Sequence, residues 1–360
     1  MNSVKKDIDD GGDRISLLLS IDGSYGEGGG QILRTAIALS VLTKKPVEIT
    51  NIRARRPNPG IKPQHHAAVT IIKNLCSGKT EGLDLGSSHI RFYPKDIKGG
   101  EHRFDIGTAG SITLVLQACI LASLKTTKPV TIKIIGGTDV KWAPSWDYFT
   151  NIFLPLIKKM GVKTDTQLIR RGYYPQGGGE AILKIYPTKE IFPLHLKEKQ
   201  IFKQVNGIIH LSKLPDHIGK RMKHAAIKTL LKKNIETHIH VEKTTDAFSE
   251  GTGITLWSQS SQTTIGSTML GEKGVPAEKI GEEAATQLIK EIESGATIDI
   301  YAADQIIPYM VLAREKGESS CIVRKLTDHT KTNIWLLQQF FDTKIKTIKQ
   351  KNNTTQLIIK

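Results

Sequence analysis

With 360 residues, 39% of them hydrophobic, the chain is long enough for two domains or for one large core carrying an insertion. It holds no apolar run of 18 residues, which excludes a transmembrane helix and predicts no membrane partner. Lys and Arg number 51 against 35 Asp and Glu, and the net charge of +16 favours a polyanionic partner such as nucleic acid.

The three cysteines, Cys76, Cys119 and Cys321, are far apart; this argues against a disulfide framework and a zinc site and suits a reducing cytoplasm. Residues 1–16 are polar, with two Lys followed by four Asp, and read as a loose leader. An apolar run, Leu17 to Ile21, then enters a glycine-rich turn, Gly23 to Gly30, followed by Ile32, Leu33, Ala36, Ile37 and Leu39 at helical spacing. The pattern predicts strand, bare turn and helix, a combination whose free N–H groups favour phosphate. Neither familiar phosphate loop fits: Gly28 to Gly30 lead into Gln31 and Ile32, and the only Gly-Lys-Thr, Gly78 to Thr80, has Lys73 where its upstream glycine should stand. A charge in the turn, Glu27, and another on the first helical turn, Arg34, separate this stretch from a purely structural turn.

Val47 to Ile52 predicts a strand. In the next fourteen residues, Arg53 to His66, three Arg, three Pro and two His fall together, so that Arg53, Arg55 and Arg56 would project from a stiff ledge. The planar fork of Arg suits phosphate. A helix follows from Gln64 to Leu75, then short strands between Leu83 and Phe104. Ile106 to Ile134 repeats the opening order of small-residue turn, apolar helix, Lys-Pro step and β-branched strand, with Pro46 and Pro129 in corresponding places. Gln117 is the one polar residue inside that helix. A third unit runs from Gly136 to Phe149 into a helix, Ile152 to Met160, and closes with RRGYYPQGGGEA, Arg170 to Ala181. Trp142, Trp146, Tyr148 and Phe149 gather around Pro144, where they either stack a base or fill a core.

From about Leu196 the texture changes to a strand, a basic amphipathic helix (HIGKRMKHAAIKTLLKK), an alternating strand (THIHVEK) and a Ser/Thr/Gly-rich segment, Gly251 to Ser267. Residues 188–277 read as an inserted small α/β domain, and its His217, His224, His238 and His240 as solvated or core histidines. The repeat pattern returns at Val275 with a helix through Ala285, a predicted strand from Ala296 to Tyr301, DQIIPYMVLA, and a last module in which His329 precedes an apolar helix.

Seven motifs in order, DGSYGEGGGQILRTA, RARRPNPGIKPQH, GTAGSITLVLQ, GGTDVKWAP, RRGYYPQGGGE, DQIIPYM and DHTKTN, make the chain resemble the RNA 3′-terminal phosphate cyclases from residue 17 to 340. The resemblance implies an α+β fold of repeated β-α-β-α-β-β units, like the C-terminal domain of translation initiation factor three, with a small inserted α/β domain. On that reading residues 17–187 plus 278–360 form the catalytic domain. The implied reaction is ATP-dependent conversion of an RNA 3′-phosphate to a 2′,3′-cyclic phosphodiester, with AMP and pyrophosphate released. By motif, His329 is similar to the family's adenylylated nucleophile. Arg34, Arg53, Arg56 and Gln64 look like the phosphate-handling set, and Glu27 like the carboxylate that meets Mg²⁺ or Mn²⁺. Gln117, Pro144, Tyr148, Tyr301, Asp304 and Gln305 resemble the residues that hold adenosine. Arg55 has no such backing, and His65 and His66 read as supporting neighbours. The implied partner is RNA with a 3′-phosphate end; a homo-oligomer is left open. A catalytically inactive cyclase-like scaffold would lack His329, and an enolpyruvyl transferase, which also binds phosphate on similar repeats, would not need the adenosine motifs.

Overall fold

The computed structural model describes residues 18–360, so the polar leader read at residues 1–16 lies outside the described residues. The first sheet grows from β1 (Leu19–Asp22), α1 (Gly30–Thr43), β2 (Val47–Thr50), α2 (Pro63–Leu75), β3 (Lys79–Glu81) and β4 (Ile90–Tyr93), in the order β1-β2-β4-β3. β1 and β2 run parallel with Ile21 opposite Ile49, and β4 returns antiparallel. α1 stops because Lys44 takes a left-handed conformation, φ 57°, whose N–H reaches the Ser40 and Val41 carbonyls, and Pro46 prevents continuation.

The second sheet uses β5 (Gly100–Asp105), α3 (Ile112–Ser123), β6 (Val130–Gly136), α4 (Trp146–Tyr148), a π-helical turn (Phe149–Phe153), α5 (Leu154–Lys159), β7 (Thr164–Arg170) and β8 (Gly179–Ile185). Its order, β5-β6-β8-β7, matches the first sheet position for position. α3 is apolar almost all round and is buried on nearly every face, as such a helix must be. Ser111 caps it by accepting from the Leu114 N–H at 3.2 Å.

A third sheet, β10-β9-β11-β12, is built from β9 (Gln204–Ser212), α6 (Asp216–Leu231), β10 (Glu236–Thr244), β11 (Gly251–Gln259) and β12 (Thr264–Leu270). The Ser/Thr/Gly-rich segment that carried no predicted element is thus two paired strands. α7 (Ala277–Ser294) packs here as well: Ile280, Ala284, Ala285 and Leu288 join Val205, Met222, Ile254 and Ile265 in a hydrophobic core separate from the main one. The sequence reading closed the small unit at 277, whereas the packing of its core runs on to Ala296.

The chain ends with α8 (Ile300–Leu312), β13 (Ser319–Val323), α9 (Asp328–Phe340), β14 (Ile345–Lys349) and β15 (Thr355–Ile359), in the sheet order β13-β15-β14. The predicted strand Ala296 to Tyr301 is corrected here. Asp299 caps α8 by accepting from the N–H groups of Tyr301 (3.0 Å) and Ala302 (2.9 Å), so the helix starts at Ile300. Thr297 and Ile298, just before the cap, donate their N–H groups to the Ile322 carbonyl of β13. The three cysteines are free and buried. Among the described residues no helix is long and apolar enough to cross a membrane.

Candidate active site

The turn after β1 needs its glycines for close approach. Gly26 and Gly28 have φ of 57° and 55°; a methyl group on Gly26 would strike the Thr332 hydroxyl of α9, and one on Gly30 would overlap the His65 ring. Tyr25 stacks on Trp335 of α9 with ring centroids 4.0 Å apart. This docking brings two distant segments together. His329, in the first turn of α9, has Nδ1 2.8 Å from Gln31 Oε1 and Nε2 3.1 Å from Glu27 Oε2. An amide oxygen only accepts, so Nδ1–H donates to it; Nε2 is the nitrogen turned to the site, and it hydrogen-bonds the Glu27 carboxylate only when the ring is protonated. Burial, helped by the nearby Arg56 and Arg34 charges and opposed by Glu27, lowers the pKa of His329 below its ordinary 6.5. The neutral imidazole is therefore favoured near pH 7.

Beside His329 opens a cavity of about 480 Å³, whose lining includes Arg34, Gln117, Pro144, Tyr148, Tyr301, Asp304 and Gln305. Its floor is held by Asp299, which sequence reasoning missed. Asp299 accepts from the Tyr148 hydroxyl at 2.6 Å and from the Gly266 N–H at 3.0 Å, besides capping α8. One carboxylate thereby fixes a cavity wall, the helix that carries Tyr301, Asp304 and Gln305, and a strand of the third sheet. An Asp directly before an apolar helical run is a capping signal that could have identified it. Gln117 donates to Gln305 Oε1 at 2.7 Å, and the Thr113 hydroxyl holds the Pro144 carbonyl at 2.7 Å. Burial pushes Asp304 up to about 8, and its Oδ1 has no hydrogen-bond partner in the protein.

The basic residues divide. Arg34 lines the cavity, and burial pushes it down to about 10, still charged at neutral pH. Arg56 reaches Glu27 Oε2 at 3.3 Å. Arg53 instead spends its guanidinium on its own loop, donating to the carbonyls of Asn58 at 2.6 Å and Gly60 at 3.1 Å. Gln64 lines a second groove rather than the cavity. Arg55, set aside in the sequence reading, donates to the Gly26 carbonyl at 3.2 Å and ties the proline-rich ledge to the glycine turn. His65 packs against Gly30, and burial, with Arg34 beside it, pushes it down to about 3, so it is a neutral packing group.

Among the described residues, the one cluster of three side chains with metal-ligand spacing is elsewhere: Asp139, Asp147 and His210, all buried. Arg171 already serves as its cation, 3.2 Å from Asp139 Oδ2, 3.1 Å from Asp147 Oδ2 and 3.0 Å from Glu242 Oε2. His210 adds contacts to Asp139 at 3.4 Å and to the Tyr173 hydroxyl at 2.8 Å. The network bolts the third sheet to the second.

A family model described as RNA 3′-terminal phosphate cyclase matches residues 25–347. Proteins named RNA 3′-terminal phosphate cyclase are similar over nearly the whole length. That of Pyrococcus furiosus is 43% identical over 324 residues, covering 90% of this chain and 93% of its own. That of Methanosarcina mazei is 42% identical over 362 aligned positions, covering 95% and 100%. That of Korarchaeum cryptofilum is 44% identical over 327 residues, covering 91% and 93%.

Proposed function

The chain belongs to the RNA 3′-terminal phosphate cyclase family, and on that premise we propose that it converts the 3′-terminal phosphate of RNA to a 2′,3′-cyclic phosphodiester at the expense of ATP. His329 Nε2 attacks the α-phosphorus of ATP, and pyrophosphate leaves. An oxygen of the RNA 3′-phosphate then attacks the phosphorus of the adenylyl group, freeing the histidine and forming an RNA-diphosphate-adenosine end. The neighbouring 2′-OH attacks the RNA-side phosphorus, losing its proton and expelling AMP as the ring closes. The observation that carries this reading is the setting of His329: one ring nitrogen fixed by Gln31, the other turned toward Glu27, beside a cavity of nucleotide size.

The side chains suit these tasks. Tyr301 and Pro144 offer apolar faces to the adenine, with Tyr148, Gln117 and Gln305 behind them. A protonated Asp304, whose Oδ1 lacks a protein partner, can exchange hydrogen bonds with the nucleoside. Arg34 and Arg56 neutralise phosphate charge; Gln64 joins them by motif, and Arg53 contributes by holding the shape of the loop that presents Arg56. Glu27 fits a hard cation. Both of its side-chain contacts, the ion pair with Arg56 and the approach to His329, are made by Oε2, and one carboxylate with phosphate oxygens and water is an ordinary Mg²⁺ or Mn²⁺ set. When bound, such an ion would neutralise charge on the triphosphate and its leaving group.

The matched strand orders of the first two sheets support reading them as copies of one β-α-β-α-β-β unit, with a third copy in α8 to β15 and residues 188–277 inserted. A cytoplasmic setting accords with three free cysteines. The test is an RNA labelled in its 3′-phosphate and incubated with ATP and Mg²⁺. The label should become resistant to phosphatase only when ATP is present, and a 2′-deoxy end should stall as the adenylylated diphosphate. Label that stays phosphatase-sensitive with ATP present would exclude the reaction.

A further inference from the structure

The aromatics around Pro144 separate into two kinds. Trp146, Tyr148 and Phe149 are buried and fill the core, but Trp142 is 96% exposed and sits at φ 62°. A bulky residue in the left-handed region is an outlier, and an indole in water forgoes hydrophobic burial. Local preference thus opposes this placement twice, as is common where a ligand is gripped. Trp142 stands at a junction. It lines the cavity beside His329 and also a second groove of about 1150 Å³ between the third sheet and the rest of the molecule. Tyr174, 79% exposed, lines the same groove, and Gln64 brings it up to the proline-rich ledge. The groove is larger than a site for one drug-sized ligand, about 300–1,000 Å³. Its lysines and arginine are partly neutralised: Lys141 pairs with Glu272 at 2.8 Å and Arg221 with Glu278 at 2.5 Å, while Lys273 has no ion pair among the described residues.

We propose that this groove takes the single-stranded RNA immediately upstream of the reacting 3′ end, with its bases stacked on Trp142 and Tyr174. The inference rests on the cyclase reading and extends it to the path of the substrate. Continuity with the cavity at Trp142 delivers the terminal phosphate toward His329, and the net charge of +16 attracts the strand. Every base has a π-face, so two exposed rings with muted local charge select for unpaired RNA without selecting its sequence.

The test compares wild type with Trp142→Ala, Tyr174→Ala and the ring-preserving Trp142→Phe. Three readouts are taken: protein labelling from ATP carrying label in its α-phosphate, binding of a short oligoribonucleotide with a 3′-phosphate, and discharge of labelled protein by that oligonucleotide or by a nucleoside 3′-phosphate. Tyr174→Ala, whose ring lines the groove and not the cavity, should keep normal labelling, and each alanine variant, once labelled, should keep normal discharge by the nucleoside 3′-phosphate, which has no upstream bases. Its Kd for the oligonucleotide should rise about 5- to 150-fold, with Trp142→Phe recovering most of the loss. Loss of labelling in Trp142→Ala would put the indole in the nucleotide site and overturn the proposal. Unchanged oligonucleotide affinity would also overturn it, leaving the face for a protein partner. If wild type takes no label, the cyclase reading itself fails, whatever the variants do.

Discussion

Asp299 sits under the candidate site with four hydrogen bonds, from Tyr148, Gly266, Tyr301 and Ala302, reaching three parts of the fold. Asp299→Asn keeps the volume but turns an N–H₂ group toward donors. It should cost about 1–3 kcal/mol of stability and raise the KM for ATP, both read from denaturation and from labelling kinetics. Unchanged stability would mean that the cap and the Tyr148 bond matter little. His210 gives a pH prediction. It faces Asp139, Arg171, Tyr173 and Glu242, and burial pushes it down to about 4 from its ordinary 6.5. Below pH 6.5 the unfolded chain binds a proton that the folded chain refuses, so this contribution to stability is lost as pH falls from 6.5 toward 4, by at most about 1.4 kcal/mol per pH unit. His210→Gln should flatten that limb of the stability profile. An equal slope in both proteins would show that His210 is protonated in the fold. Neither residue was read beforehand: the capping signal of Asp299 was hidden in an apolar run that read as a strand, and His210 acquires its meaning only from Asp139 and Arg171, distant in sequence.

The elements were legible where their period was long and strong. α1, α2 and α3 follow from apolar spacing, and the Lys-Pro step after α1 marks its end. Short or polar elements were not. TIDIY is too brief to distinguish a strand from a helix entry, and β11 with β12 shows Ser, Thr and Gly because its interior faces hold hydroxyl pairs such as Ser145–Thr255 at 2.9 Å and Thr255–Thr268 at 3.0 Å. The glycine turn was visible as a turn, but its docking on α9 was not. That docking yields a prediction. Gly30→Ala has no backbone obstacle, yet its methyl would overlap the His65 ring, so it should cost about 1–3 kcal/mol and slow labelling. His65→Ala in the same chain should return part of the loss. Additive effects of the two substitutions, measured by denaturation, would refute the contact.

At the scale of the whole molecule, two hydrophobic cores are joined through Arg171, whose partners come from the second sheet's loops and from β10 of the third. Arg171→Met would leave Asp139 and Asp147 buried without their cation and should destabilise by about 3–5 kcal/mol, partly restored by Asp139→Asn. A loss below 1 kcal/mol in denaturant titration would mean that water reaches the network. The mixed α and β character and the family were readable from seven ordered motifs; the way in which the third sheet is tied to the second was not, because it depends on side chains such as Glu242 that belong to no motif. The central claim is that His329 carries AMP between ATP and RNA. Its most direct test is to incubate wild type and His329→Ala with Mg²⁺ and ATP labelled at the α-phosphate, then denature both. Acid-labile, alkali-stable label should remain on wild type alone and should discharge on addition of RNA ending in a 3′-phosphate. Equal label on both proteins, or none on either, would contradict it.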